Sequence, residues 1–183
     1  MTAEMLNRDL LPSNTCFGCG PENPHGLRIA ITRDGSRTDR LVGTLDPAPH
    51  MVGFPGITHG GAIYAALDCI AAWVPMVLRP EGRAIWILRS ANITYRRPAP
   101  IGQRIGLSGV IAHEGTAKQP MTVHAEARDL NGVLLAEADF KVVPLSASRF
   151  KEVSGVQEIP ENWLRLMGES IPEGPDSSPT NQR

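Results

Sequence analysis

The spacing of hydrophobic and polar positions changes twice along this chain, and it predicts two strands, one long helix and then four further strands. Between residues 27 and 32 apolar and polar side chains alternate, and residues 39–45 form a second strand candidate. Asp34-Gly35 lies between them and is typical of a tight turn, so the two strands are predicted to form a hairpin. Prolines and glycines in residues 47–56 then predict a loop.

A long apolar run follows this loop and predicts a helix from about Gly60 to Leu78, with Thr58 or His59 as its N-cap. Nearly every face of this helix is apolar, so other elements must cover it. Pro75 is expected to kink the helix or to end it early.

The pattern returns to strands after the helix, and the predicted strands cover residues 84–95, 103–113, 121–130 and 133–143. A turn at residues 129–132 joins the last two as a meander. A curved antiparallel sheet wrapped around one central helix is the simplest arrangement of these elements, and it is an α+β fold.

Three regions are expected along the chain. Residues 1–26 form an N-terminal segment with a Cys-x-x-Cys-Gly loop, and residues 27–145 form the domain. Residues 146–183 are rich in Pro, Gly, Ser and Glu and are predicted to be a largely flexible tail. Only residues 163–167 of this tail could form a short docking helix.

Composition narrows the class of protein. The chain has 183 residues, 42% of them hydrophobic, and a formal net charge of -1, which suits one domain with a substantial core and argues against nucleic-acid binding. Three cysteines without a secreted framework favour a reducing compartment. The first 14 residues lack a signal-peptide core, and the most apolar stretch carries Asp68 and Pro75. We therefore expect a soluble cytoplasmic protein without a membrane partner.

The candidate chemistry lies at the start of the long helix, where Gly60 and Gly61 precede a single carboxylate, Asp68. Free N–H groups and the positive end of the helix dipole suit an oxygen that develops negative charge. Asp68 lies on the same helix face as Gly61 but about 10 Å further along the axis. Both could therefore serve one reaction only across a two-fold dimer with antiparallel helices.

A structural explanation of these residues is the alternative. Asp68 could hydrogen-bond to a neighbouring group, while the glycine pair permits close helix packing. His59 is a candidate catalytic residue, but a role as the helix cap or in holding the loop is favoured.

The motif HGGAI at residues 59–63, with Asp68 and the segment NITYRRPAPIG at residues 92–102, resembles the hotdog-fold acyl-CoA thioesterases of the phenylacetic-acid-degradation (PaaI-like) type. Residues 16–27 resemble the opening of one branch of that superfamily, and the whole resemblance spans about residues 16–143. It implies a hotdog fold and hydrolysis of an acyl-CoA thioester. It also implies that Asp68 is the general base or nucleophile, that Gly61 is the oxyanion donor and that Ser90 positions water.

Coenzyme A would enter as part of the substrate, so no separate cofactor is expected. Arg96 and Arg97 are the first candidates to bind its phosphates, because guanidinium pairs bidentately with phosphate, and Asn92 in the same segment is a further candidate contact. Trp73 and Trp86 are predicted to pack in the core or in a dimer interface.

The cysteines are expected to be structural. Cys16 and Cys19 would be half of a zinc site if two more ligands, such as His25 and His50, were near. The spacing of such a second pair is absent, so no metal is predicted and these cysteines are expected to pack the N-terminal segment against the sheet. Cys69 is predicted to be a small core residue.

Two other functions stay open, a non-catalytic acyl-CoA-binding hotdog protein and a hotdog hydratase or dehydratase. A buried carboxylate argues against a mere binder. In hydratase-type hotdogs a His usually stands five residues after the Asp, where this chain has Trp73. A homodimer is expected, with a dimer of dimers, that is a homotetramer, as the larger alternative.

Overall fold

The computed structural model describes residues 4–79, 84–116 and 119–168. The strands are β1 (Ala30–Arg33), β2 (Arg40–Leu45), β3 (Val52–Phe54), β4 (Ile57–Thr58), β5 (Ile85–Tyr95), β6 (Ile105–His113), β7 (Met121–Arg128) and β8 (Leu134–Leu145). The helices are α1 (Leu6–Asp9), α2 (Gly60–Leu78), α3 (Ala147–Ser154) and α4 (Glu161–Leu166), and a 3₁₀ turn covers Pro49–Met51.

Six strands form one antiparallel sheet in the order β1-β2-β6-β7-β8-β5. The predicted hairpin is the β1–β2 pair, and the predicted meander is the β7–β8 pair. The Asp129 side chain closes the meander turn, because its Oδ1 accepts from the backbone N–H groups of Asn131 and Val133, both at 2.9 Å. The small β3–β4 hairpin lies in the segment predicted as a loop.

Helix α2 lies against one face of this sheet and forms the centre of the core, so the predicted α+β hotdog arrangement is confirmed. Trp73, Ile70 and Phe140 are among the largest fully buried side chains. Gly109 on β6 allows the close approach of the helix, since a Cβ at that position would lie 2.8 Å from Val74 Cγ2. The buried core thus fixes how α2 is rotated above the sheet.

Pro75 does not end α2 early, because the helix continues to Leu78. Pro75 removes one backbone donor from the helix ladder. The residues around it, Trp73, Val74 and Val77, are nevertheless buried, and Arg79 N–H donates to the Pro75 carbonyl at 3.0 Å. Burial of this last turn outweighs the missing hydrogen bond.

By length and composition alone, α2 is apolar enough to cross a membrane, with a mean hydropathy of 1.7 over its 18-residue window. Within the fold 56% of that window is buried. This is the burial expected of a core helix.

The N-terminal segment is joined to the edge of the sheet beside β1. The buried Asn7 side chain donates to the carbonyls of Cys19 (2.7 Å) and Ile29 (3.0 Å), and accepts from Ile31 N–H at 3.0 Å. The cysteines of this segment, however, contact α2 rather than the sheet, because Cys16 Sγ lies 3.7 Å from Cys69 Sγ. The expectation that they pack against the sheet was therefore wrong.

Up to residue 168, the C-terminal segment forms more helix than the sequence indicated. Helix α4 overlaps the predicted docking helix, and α3 was not predicted. Phe150 of α3 stacks on Trp163 of α4 with ring centroids 6.2 Å apart, over a small cluster with Ile85 of β5. Ser146 as N-cap and Gly155 with φ 72° at the C-cap are the local signals of α3. Residues 169–183 of the predicted tail lie outside the described residues.

Candidate active site

The first turn of α2 is held by its own N-cap residue. His59 Nδ1 accepts from the Gly61 N–H at 2.9 Å, which settles His59 rather than Thr58 as the cap. Two backbone bonds place His59 there, since its N–H donates to the Met51 carbonyl (2.7 Å) and Thr58 N–H donates to the Ala99 carbonyl (2.8 Å). The Gly61 N–H, predicted to be a free oxyanion donor, is thus engaged by His59 in this state.

Gly60 supplies the donor that is open. Among the residues that the structure describes, its N–H has no acceptor, while its carbonyl accepts from the Tyr95 hydroxyl at 2.9 Å. A Cβ on Gly60 would lie 3.3 Å from the Tyr95 ring, and one on Gly61 would lie 2.9 Å from His59 Nδ1. The glycine pair therefore gives room to these two side chains, in addition to exposing the backbone.

Asp68 lies half-buried on the least covered face of α2, together with Gly61, Tyr64, Ala65 and Ala72. Within residues 4–79, 84–116 and 119–168 its carboxylate makes no hydrogen bond or ion pair, so the structural explanation by a neighbouring donor is not observed. Desolvation, with a further contribution from the negative charge of Cys16, raises the pKa of Asp68 to about 6. An unpartnered carboxylate with such a pKa is suited to accept a proton near neutral pH.

Two cavities meet at the start of α2. One, of about 560 Å³, is lined by residues that include Phe54, His59, Gly60, Tyr95 and Arg97. The other, of about 300 Å³, has Gly61 and His59 in its wall together with His25, His50 and Phe17. His25 and His50, considered as partners of the cysteines, therefore line this second cavity instead. Asp68 lines neither cavity, because it lies about 10 Å further along the helix axis.

The two candidate phosphate-binding arginines differ in their partners. Arg96 is paired with Glu137, with Nε 2.7 Å from Oε1. Arg97 makes no ion pair with any described residue, is exposed and lines the larger cavity. Of the two, Arg97 is the cation that is available to a ligand.

Ser90 and Asn92 lie on the sheet face away from α2. Their cross-strand partners Lys141 and Asp139 flank Phe140, which is fully buried toward the helix opposite Ala91. Both side chains line a cavity on the outer face with Lys141 and Asp139. A bulge between Leu88 and Ser90 shifts the alternation of β5, which no local sequence signal indicates. The structure thus does not bring Ser90 or Asn92 to Asp68 within one protomer.

Tyr95 is the site residue that the sequence reasoning missed. Its signal was present, because it ends β5 inside the motif at residues 92–102 and alternation places it on the same face as Ala91.

The two tryptophans also differ in burial. Trp73 is buried and its Nε1 donates to Cys19 Sγ at 3.4 Å, whereas the Nε1 of the half-buried Trp86 has no partner among the described residues.

The similarity of this chain to known proteins agrees with the fold described above. Residues 55–136 match the family model of the thioesterase superfamily. This segment of the chain is similar to that superfamily. The match includes the start of α2, Asp68 and the arginine pair, and it confirms the resemblance and the predicted enzyme class, a thioester hydrolase, at the level of that superfamily. No curated protein matches the chain.

Solved structures of the same fold are similar to this chain. Zebrafish thioesterase superfamily member 2 aligns with a TM-score of 0.59 and 17% identity, over 77% of this chain and 94% of that one. The Escherichia coli PaaI protein of the phenylacetic acid degradation operon gives 0.56 and 19%, over 66% and 81%. A hypothetical thioesterase from Streptococcus pneumoniae, solved with coenzyme A, gives 0.55 and 17%, over 64% and 85%.

Proposed function

We propose that the protein hydrolyses an acyl-CoA thioester to a free acid and coenzyme A. The superfamily match supports thioester hydrolysis, and the coenzyme A bound to the Streptococcus pneumoniae structure supports the acyl-CoA class of substrate. The observation that carries the proposal is Asp68, a half-buried carboxylate without a partner among the described residues, on the uncovered face of the core helix.

In the proposed reaction the ionised Asp68 takes a proton from water, and the hydroxide formed attacks the thioester carbonyl carbon. In an equivalent route the carboxylate attacks directly and water then hydrolyses the anhydride. In both routes the carbon–sulfur bond breaks and coenzyme A leaves as a thiolate that takes up a proton. The start of α2 stabilises the oxyanion, through the open Gly60 N–H and through the Gly61 N–H when the carbonyl oxygen replaces His59 Nδ1.

The site is proposed to form between two subunits. An oxygen bound at the start of α2 and the Asp68 of the same chain are about 10 Å apart along the helix, so they cannot act on one carbonyl. A two-fold dimer with antiparallel α2 helices would place Asp68 of one subunit at the helix start of the other. Two features of the protomer support this. Strand β5 is an edge strand, and Ala91 on its helix-facing side is exposed.

Arg97 is the proposed contact for the phosphates of coenzyme A. Unlike Arg96, it makes no ion pair with a described residue, and it lines the 560 Å³ cavity that the Gly60 backbone also lines. No separate cofactor is part of the proposal.

A hydratase function is not supported. Trp73 stands where hydratase-type hotdogs have a His, and it is buried and donates to a sulfur atom.

The test is release of free thiol from a panel of acyl-CoAs by the wild type and by Asp68→Asn. Loss of the general base is expected to lower kcat/KM by about 100- to 10,000-fold. Asp139→Asn is the matched control, because Asp139 is exposed on the outer face of the sheet and should retain activity. Full activity of Asp68→Asn would refute the mechanism. Binding of acyl-CoA without any turnover by the wild type would favour the non-catalytic binding protein.

A further inference from the structure

Three thiols from distant parts of the chain meet beside α2. Cys16 and Cys19 come from the N-terminal turn and Cys69 from the helix, and their Sγ atoms all lie within 4.8 Å of one another. The Cys16–Cys69 Sγ distance is 3.7 Å. Sulfur atoms around a tetrahedral zinc ion, with Zn–S bonds of about 2.3 Å, are separated by about 3.8 Å. The Cys16–Cys69 distance therefore already matches that of a metal site, and Cys19 Sγ lies within 4.8 Å of both other sulfur atoms.

Two glycines shape the turn that carries Cys16 and Cys19. A Cβ on Gly18 would lie 2.3 Å from Cys69 Sγ, so only glycine lets the turn approach the helix this closely. A Cβ on Gly20 would lie 2.4 Å from the Cys16 nitrogen, and the Gly20 N–H donates to the Cys16 carbonyl at 3.0 Å. The turn is folded tightly enough to direct both sulfurs toward Cys69.

Two side-chain N–H groups point at one of the three sulfur atoms, Cys19 Sγ. Trp73 Nε1 donates to Cys19 Sγ at 3.4 Å, and Asn14 Nδ2 donates to the same sulfur at 3.7 Å. Such outer donors orient and stabilise metal-bound thiolates.

We propose that Cys16, Cys19 and Cys69 bind one thiophilic metal ion, with zinc as the expected occupant. Thiolate ligands select zinc and copper(I) over magnesium, calcium and manganese. Cys19 and Cys69 are buried and Cys16 is half-exposed, so a water molecule reaching the ion past Cys16 would complete four ligands. The ion would tie the N-terminal segment to α2 at the residue that follows Asp68. This role is structural and does not depend on the proposed hydrolysis.

The experiment is metal titration of the untagged, reduced, full-length protein. Cobalt(II), the spectroscopic probe, is expected to bind with 1:1 stoichiometry, to give a thiolate-to-metal charge-transfer band with tetrahedral visible bands, and to be displaced by zinc. Cys16→Ser and Cys69→Ser should lower the affinity by more than about 100-fold, since loss of an outer partner alone lowers it by about 10- to 100-fold. The matched control is the double variant His25→Ala and His50→Ala, which should bind as the wild type does.

A measurement on the wild type keeps the test independent of how well the serine variants fold. X-ray absorption of the zinc-loaded protein should show three sulfur neighbours at about 2.3 Å, and zinc should raise the unfolding temperature relative to chelated protein. Absence of 1:1 binding, fewer than three sulfur neighbours, or unchanged affinity in both serine variants would overturn the proposal. A disulfide between Cys16 and Cys69 in protein purified without reductant, with no bound metal, would overturn it as well.

Discussion

At the scale of single residues, Asp68 shows a conflict between stability and function. Its carboxylate is half-buried and finds no partner among the described residues, and desolvation raises its pKa to about 6. The ordinary pKa of Asp is about 3.9. The raised pKa means that ionised Asp68 destabilises the fold, and that this destabilisation develops as the pH rises through about 6.

Asp68→Asn should therefore stabilise the protein at pH 8. The expected gain in the free energy of unfolding is about 1–2 kcal/mol, after discounting for the solvent exposure of the carboxylate. At pH 4, below the folded pKa, the two proteins should be nearly equal. Denaturant unfolding of chelated, reduced protein at both pH values measures this. An Asn variant that is less stable at pH 8 would show that the carboxylate has a stabilising partner.

Arg97 and Arg96 are neighbours in sequence but differ in charge pairing. Arg97→Ala should raise KM for acyl-CoA several-fold and leave kcat nearly unchanged, because a contact to phosphate and not to the reacting thioester binds ground state and transition state equally. Arg96→Ala is the matched control and should change KM less, since Arg96 already pairs with Glu137. Equal effects of the two substitutions in steady-state kinetics would contradict this assignment.

At the scale of elements, the first turn of α2 determines which backbone donors a ligand meets. Gly60 N–H is open, and Gly61 N–H is held by His59. A proline at the first helical position keeps the helix and removes an N–H that has no intrahelical partner, but its ring also crowds Tyr95, which lies 3.3 Å from a Cβ at Gly60. The extended backbone of His59, with φ -60° and ψ 131°, is compatible with a following proline.

Gly60→Pro and Gly61→Pro each remove one of these donors. At least one of the two variants should lose about 100- to 1,000-fold in kcat, the loss typical of a missing oxyanion donor. Circular dichroism and thermal unfolding serve as the check that α2 is still formed. Folded variants that both retain wild-type kcat would exclude the start of α2 as the oxyanion site.

At the scale of the whole molecule, one protomer carries both parts of the proposed site, Asp68 and the start of α2. It holds them too far apart to act on one carbonyl. Helix rise separates Asp68 from the start of its own helix by about 10 Å. The uncovered face of α2 and the free edge of β5 lie on the part of the fold where a second copy would supply what is missing.

Mixed dimers test this directly. Subunits with Asp68→Asn are combined with folded subunits carrying whichever proline variant is inactive, after unfolding and refolding together. One of the two sites in each heterodimer would then have both an intact Asp68 and an intact helix start, so part of the thiol-release activity should return. Confirmed heterodimers that stay inactive would contradict a site shared between subunits.

Much of the fold and the candidate chemistry was readable from the sequence, because both depend on local patterns. Apolar periodicity and turn residues predicted the long helix, the hairpin and the meander, and the HGG motif with Asp68 indicated the candidate site. Contacts between distant segments could not be read in this way. Engagement of Gly61 by His59 follows from backbone bonds to Met51 and Ala99, and the outward position of Ser90 follows from a bulge in β5.

What the sequence determined by itself is the order of elements and the presence of one carboxylate in an apolar helix, since these follow from side-chain type and spacing. Within the described part of the chain, tertiary structure decided which backbone donor is open, which of Arg96 and Arg97 lacks an ion pair, and that Cys69 lies in a cluster with Cys16 and Cys19. The physical reason is that these properties depend on burial and on hydrogen bonds formed across the core. Residues 53 positions apart, such as Cys16 and Cys69, carry no sign of their contact until the chain is folded.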